Sequence, residues 1–387
     1  MIIGIVAEYN PFHNGHKYQI DFLKENYNPD GIIIAMSGNY VQRGEMASFD
    51  KYLRAQSALL AGASLVFEIP QVFATASARD FARAGVKLLS SCGCDVIACG
   101  VETLDNDSFR KITNILSNET DEYKNYLQDE LKKGLTFPLA RANAISRIYD
   151  DDSIAKFIGE PNNLLAIEYA LAAKYFDLDL EIIPIKREKV GHHDTLISDN
   201  FASASYIRKT FSSGEDAKSL LPYPDLFNSN DFLELSDFDK LLFDRLLSLD
   251  NNYYYDIDSD LFNRIKNNIY NFTTTTEFIE LIKTKNVTYT AVSRALTRIL
   301  LDFSADDSKD YLPFVRLLGM KKEAKQLLSS VSSSLESVGE LVTSMPKEPS
   351  PLLLKQFKND ALYEGIRALK SGTKIQNELK RKFLVVE

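Results

Sequence analysis

Two histidines three residues apart, His13 and His16, flank Gly15 in the run Glu8-Tyr9-Asn10-Pro11-Phe12-His13-Asn14-Gly15-His16. The run joins an apolar stretch, Met1–Ala7, to a segment of helical character, His16–Asn26,. Where a strand passes into a helix in this way, free backbone N–H groups and the positive end of the helix dipole face outward, which suits an anion. A glycine at Gly15 lets the backbone approach a phosphate closely. The imidazoles supply donors to phosphate oxygens, on which charge builds as an α–β phosphate bond breaks. A surface pair or a pair of metal ligands is the alternative at this spacing. Only 4 histidines occur in 387 residues, however, and two of them share this turn. A nucleotide site is the preferred reading.

The elements around the turn read as alternating strands and helices. Gly31–Met36, Leu65–Ile69 and Asp95–Cys99 are short apolar runs; Asp50–Ala61 and Ala76–Leu89 are amphipathic,. Asp105–Leu131 reads as two charged surface helices, Asn162–Phe176 as a helix and Leu178–Ile185 as a late strand, with a further helix starting near Ser205. The alternation predicts an α/β fold with a parallel sheet between helices, and ligands on such sheets lie beyond the carboxyl ends of the strands. Polar or glycine-bearing loops follow several strands: Glu8–Gly15, Ser37–Glu45 and Gly100–Thr103. After about Gly214 the composition shifts. Glu215–Asp260 is acidic, rich in Leu and Phe and free of glycine, and the remainder reads as mostly helical. Two domains are expected, 1–214 and 215–387.

With 45% hydrophobic and 26% charged residues the composition is that of an ordered globular protein,. No apolar run approaches the roughly 20 residues needed to span a bilayer, and the amino terminus lacks a basic start and cleavage site. A cytoplasmic protein without a membrane partner is expected. Three clustered cysteines, Cys92, Cys94 and Cys99, fit a reduced compartment and lack zinc-site spacing,. His192-His193-Asp194 reads as a solvated loop, so no metal site is assigned. The net charge of −9 weighs against general nucleic-acid affinity unless positive charge is gathered locally,.

The segments Glu8–His16 and Ser37-Gly38-Asn39-Tyr40-Val41-Gln42-Arg43-Gly44-Glu45 together resemble the bacterial tRNA(Met) cytidine acetate ligase family, within the HxGH nucleotidyltransferase superfamily. Leu65-Val66-Phe67-Glu68-Ile69-Pro70, Gly100, Pro161-Asn162-Asn163, Arg187 and Ser203-Ala204-Ser205-Tyr206-Ile207-Arg208 agree with it. The resemblance implies a Rossmann-like, HUP-type catalytic domain followed by a mainly α-helical domain. It implies ATP as substrate, with Mg2+ carried by the nucleotide, acetate activated as acetyl-adenylate, and transfer of acetyl to N4 of the wobble cytidine of elongator tRNA(Met). Its ATP site maps onto Ala7, Glu8, Tyr9, Asn10, Pro11, Phe12, His13, Asn14, Gly15, His16, Lys17, Tyr18, Gln19 and Ile20. Gly100, Arg187 and one asparagine, Asn162 in preference to Asn163, complete it. His13 and His16 are the catalytic candidates.

Other residues stay open between two readings. Arg43, at a strand end, suits a phosphate or a carboxylate through two donors. Ser203, Ser205 and Arg208 resemble the second signature of the superfamily and could hold the β- and γ-phosphates, or Ser203 could simply cap a helix. Glu8 and Glu45 invite reading as a catalytic carboxylate pair, but acetate is already ionised at neutral pH and needs no base. Nothing in the sequence identifies a base for the later amine attack. Lys283, Lys285, Arg294, Arg298, Arg316, Lys321 and Lys322 gather basic charge, with Arg294 and Arg298 on one helix face,. Lys283, Lys285, Arg294 and Arg298 are the candidate tRNA contacts, and Lys380-Arg381-Lys382 is the next. The alternatives are an adenylyltransferase for a small phosphorylated cofactor precursor, which has no use for a large helical half, and a non-catalytic nucleotide-binding protein.

Overall fold

The computed structural model describes residues 1–187, 201–335 and 340–387. Ten strands are β1 Ile2–Ala7, β2 Gly31–Ser37, β3 Tyr40–Val41, β4 Glu45–Met46, β5 Leu65–Ile69, β6 Val96–Val101, β7 Glu181–Lys186, β8 Phe314–Lys321, β9 Glu340–Val342 and β10 Leu384–Val386. The main sheet runs β10-β8-β5-β2-β1-β6-β7, with β9 also paired to β8. All its pairs are parallel except β5 with β8.

Strand periodicity separates the two faces. Ile32 and Ile34 of β2 lie in one core cluster with Ile20 and Leu23 of α1, Asn14–Tyr27, and with Ala58 and Leu59 of α2, Lys51–Ala61,. Ile33 and Ala35 lie in the other, with Leu65 and Phe67 of β5 and with Phe81 and Leu88 of the helix Ala78–Ser91. Ala166 and Tyr169 of the helix Pro161–Tyr175 join that second cluster. The predicted strands and helices of the first 212 residues are present within a few residues of their expected limits.

From β1 the chain builds outward on one side through β2 and β5, then returns to place β6 and β7 on the other. The order therefore reverses beside β1, and a crevice opens there beyond the strand ends. The Glu8–His16 turn, Gly100 and Arg187 all lie at the carboxyl ends of strands flanking that reversal.

The break expected at Gly214 is not a break in the sheet. Residues 215–313 are helical, with a core of their own that includes Leu246, Phe278, Leu296 and Ile299. Beyond them β8, β9 and β10 rejoin the first half, β8 lying antiparallel to β5. β8 is an exception to the mostly helical pattern expected beyond Asp260: Phe314–Met320 is buried on both faces, so it shows no two-residue alternation that would mark a strand,.

Candidate active site

The turn that opens α1 is built by its own histidines. His13 is the cap: its Nδ1 accepts the Gly15 N–H at 3.0 Å. His16 reaches back, its Nδ1 accepting the His13 N–H at 3.2 Å. This is a reciprocal capping box in which imidazoles take the places of a hydroxyl and a carboxylate. Both Nδ1 atoms are acceptors, so the hydrogen-bond network assigns the proton of each ring to Nε2. The rings stack with centroids 3.7 Å apart. Burial, reinforced by Arg187 and Arg208, pushes His13 down to about 3; burial and then His13 push His16 well below its ordinary value. The pair is thus neutral at pH 7 and presents two Nε2–H donors beside the helix start.

Gly15 also has a structural reason of its own. A Cβ there would lie 2.9 Å from Cε1 of His13. The glycine makes room for the capping ring. Tyr9 adopts a left-handed φ of 50°, a conformation that costs a bulky residue on the order of 1–2 kcal/mol. Its ring packs against His16 with centroids 4.7 Å apart.

The turn is held from beneath by Arg54 of α2, which is fully buried. Its guanidinium donates to carbonyls of Glu8 at 2.6 Å, Ser37 at 3.2 Å and Phe49 at 2.9 Å, and also to Gly38. One side chain thereby ties the ends of β1 and β2 together. Asn10 adds a second tie, accepting the Ser48 N–H at 2.8 Å.

Across the crevice, Arg187 follows β7 with its guanidinium largely buried, lowered by that burial and partly offset by Glu102. It makes no side-chain hydrogen bond among the described residues. Gly100 lies under it: a Cβ there would come within 3.3 Å of Arg187 Cγ. Asn163 is fully buried and fully used, accepting the Glu102 N–H at 3.0 Å and donating to Glu160 at 2.7 Å. Asn162 is half-buried; its N–H and amide donate to Glu102, and its side-chain carbonyl has no hydrogen-bond partner among the described residues.

Ser203 caps the helix Ala204–Ser212, accepting the Tyr206 N–H at 3.2 Å. Arg208 donates to the Asn10 carbonyl at 2.8 Å, which brings this segment onto the histidine turn. Lys17 pairs with Asp21 at 2.5 Å on the outer face of α1. His192, His193 and Asp194 lie outside the described residues. Elsewhere, a shallow surface depression of about 500 Å³ beside Lys111 and Tyr149 contains none of these groups.

Similarity to known proteins agrees with this geometry. The HIGH Nucleotidyl Transferase family matches residues 1–381. A tRNA(Met) cytidine acetate ligase of Clostridium perfringens is 35% identical over 92% of this chain and 92% of its own length. One from Thermoanaerobacter sp. is 34% identical over 92% of this chain and 90% of its own. The structure superimposes on Thermotoga maritima TmcAL bound with alpha-thio ATP with a TM-score of 0.87 and 26% identity, covering 100% of this chain and 99% of that one. The chain belongs to the tRNA(Met) cytidine acetate ligase family.

Against that family's need to hold an RNA, the expected basic helix face requires correction. Arg298 is only 1% exposed and pairs with Asp256 at 3.1 Å. Arg294 is half-buried, and burial, followed by the charge of Arg298, lowers it to about 10. The reason is packing: their helix, Tyr289–Leu301, lies against the Gln42–Glu45 turn. Ser293 and Thr297 each donate to the Gly44 carbonyl at 2.7 Å. Gly44 has φ 75°, and a Cβ there would meet the Arg294 backbone at 2.3 Å. Lys283 and Lys285 remain exposed, Lys283 beside Glu280. Arg316 is buried, and Arg381 is bound to Asp50 and Glu378, so neither adds to a surface patch.

The sequence reading of this ligase-family chain also missed an ion cluster beneath the Ser37–Glu45 loop. Lys51, fully buried, meets Glu68 at 3.0 Å and also Asp360. Arg316 joins Asp360 at 2.6 Å and Glu378 at 3.2 Å, and Asn39 and Gln71 complete the Asp360 carboxylate. The available signal was charge on an apolar helix face: Lys51 and Arg54 share a face with Ala55, Ala58 and Leu59,.

Proposed function

We propose that the protein activates acetate with ATP and transfers the acetyl group to N4 of the wobble cytidine of elongator tRNA(Met), in the cytoplasm. The observation that carries this reading is the pair of neutral histidines at the amino end of α1, with Arg187 acting on them, whose Nε2–H groups and guanidinium make no side-chain hydrogen bond among the described residues. Acetate attacks the α-phosphorus of ATP and pyrophosphate leaves. His13, His16, the α1 amino end and Arg187 bind the phosphates and stabilise the charge that develops on them. Asn162 and the Gly100 turn line the nucleotide, and Ser205 and Arg208 face the outer phosphates.

Among the described residues no group of three or more His, Cys, Asp or Glu side chains could hold a metal. Mg2+ enters on the triphosphate, as part of the substrate. Among the described residues no helix is long and apolar enough to cross a membrane.

The tRNA approaches over residues 215–387 on the side of Lys283, Lys285 and Arg294. The half-buried Arg294 sits on the Gln42–Glu45 turn, so an RNA strand held there lies next to the crevice. The wobble base must be splayed out to enter, as single-stranded RNA targets are. The test supplies ATP and acetate with and without bacterial tRNA, follows AMP and pyrophosphate release, and assays the tRNA for N4-acetylcytidine. Acetate-independent AMP transfer to a small phosphorylated molecule, with no acetylcytidine formed, would replace this reading with that of a cofactor adenylyltransferase.

A further inference from the structure

Glu8 is the first residue beyond β1, one step before the strained Tyr9, and its backbone carbonyl is clamped by Arg54. Its carboxylate points away from the histidines' capping network, toward the Gln42–Glu45 turn. There Oε1 accepts the Gln42 N–H at 2.7 Å. Among the described residues the side chain makes no other hydrogen bond, which leaves Oε2 available. The turn that holds Oε1 is itself fixed on two sides: Gln42 Nε2 donates to the Ala76 carbonyl at 3.1 Å, and the helix Tyr289–Leu301 grips the Gly44 carbonyl. The carboxylate is therefore located by rigid elements from both halves of the chain, with one oxygen anchored and one available. Although the resemblance counts Glu8 in the ATP-binding run, contact with phosphate does not explain this arrangement of its side chain, because a carboxylate repels phosphate.

We propose that Glu8 is the base that takes the proton from the attacking cytidine amine in the acetyl-transfer step. The inference rests on the tRNA-acetylating reading above. The N4 lone pair forms a C–N bond to the acetyl carbonyl carbon. The bond from that carbon to the phosphate oxygen breaks, and its electron pair leaves with AMP. One N4 proton passes to Oε2 of Glu8 and then to water. Atoms and charge balance without any further reactant. The position fits the sequence of events: the base lies at the seam between the histidine turn, where the adenylate forms, and the turn carrying Arg43 and packed under Arg294, where the RNA arrives.

The groups acting on Glu8 come from every neighbouring element. Burial raises its pKa; the Gln42 N–H, Arg43 and Arg208 lower it, and Glu45 raises it again, with a net upward shift. Tyr169, from the helix Pro161–Tyr175, also senses its charge. A carboxylate raised in this way is a better proton acceptor than an ordinary one.

Glu8→Gln separates this role from a structural one, because glutamine keeps an Oε1 that can accept the Gln42 N–H but cannot take a proton. Two half-reactions are measured in the full-length protein: acetate-dependent ATP–pyrophosphate exchange, and single-turnover acetyl transfer to tRNA(Met) from enzyme preloaded with ATP and acetate. The expected result is a transfer step slower by about 10²–10⁴, with exchange reduced by no more than roughly tenfold. The wild-type transfer rate should rise with pH along an acid limb that Glu8→Gln lacks and Glu8→Asp restores in part. Equal losses in both half-reactions, a transfer rate within about tenfold of wild type, or an unaltered acid limb would overturn the assignment. Wild-type protein that shows no acetate-dependent exchange overturns the underlying reading instead, which is a distinct outcome.

Discussion

The histidine turn and the Lys51–Asp360 cluster are both polar and buried, yet they are built on opposite principles. In the cluster every charge meets an opposite charge or an amide: Lys51 has Glu68 and Asp360, and Arg316 has Asp360, Glu378 and Tyr52. In the turn the hydrogen bonds are spent only on shaping the backbone. Among the described residues the Nε2 atoms, the Arg187 guanidinium and one Glu8 oxygen have no hydrogen-bond partner. A buried network whose charges are all paired serves to join elements, and this one joins β5 and α2 to β8 and the helix Pro351–Ser371. Polar groups without a protein partner at the crevice can bond a ligand without first giving up an internal hydrogen bond. The contrast identifies which polar core is a joint and which is a site.

The contrast breaks first at the joint. Asp360→Ala strips Lys51 and Arg316 of their shared carboxylate and leaves both buried, which should cost about 3–5 kcal/mol. Denaturant unfolding should show the loss. If the cost is under about 1 kcal/mol, the cluster is not what fastens the second half to the sheet.

Next comes the site. His16→Ala should slow acetate-dependent exchange by about 10²–10³, the scale for removing one preorganised donor. Because it also opens the capping box, it should cost about 1 kcal/mol of stability, measurable as a small fall in Tm. A rate near wild type would remove His16 from catalysis.

A pH series sharpens the same point. His13 is neutral in the folded chain down to about pH 3, whereas its unfolded value is 6.5. Its contribution to stability is therefore complete above about pH 6.5 and is lost as the pH falls toward 3, because the unfolded state takes up the proton first. The slope is about 1.4 kcal/mol per pH unit. His13→Asn, which retains a capping acceptor, should show a shallower fall in unfolding free energy between pH 6 and 5. An identical slope would mean that His13 is not held neutral.

At the seam between the halves, Gly44→Ala forces a side chain into a left-handed φ and against the Arg294 backbone. The backbone term alone is about 1–2 kcal/mol. Acetyl transfer should suffer more than exchange, since the turn holds Glu8 and faces the RNA.

The smallest expected effect is on the surface. Lys285→Ala should weaken tRNA binding and flatten the plot of log affinity against log salt by roughly 0.7–0.9 for one lost phosphate contact, with ATP affinity unaltered. Arg298→Ala should leave that slope in place, because the residue is buried and paired with Asp256.

What the sequence alone determined was local. The Glu8–His16 turn, the alternating strands and helices, and the positions of Gly100 and Arg187 at strand ends follow from residue type and short spacing. Such order is written in contiguous residues, since a strand's hydrophobic run and a helix's first turn each span fewer than about ten positions. Only the tertiary structure decided the rest. Pairing β5 with β8 brings residues some 250 positions apart into one sheet, and Lys51 meets Asp360 across 309 positions. Burial of Arg298, capture of Arg54 by four backbone carbonyls, and the free oxygen of Glu8 likewise depend on which distant segment packs where. A charged side chain looks the same in sequence whether it faces water or a carboxylate in the core. Its environment is set by the closing of long loops, and no short window of sequence contains that information.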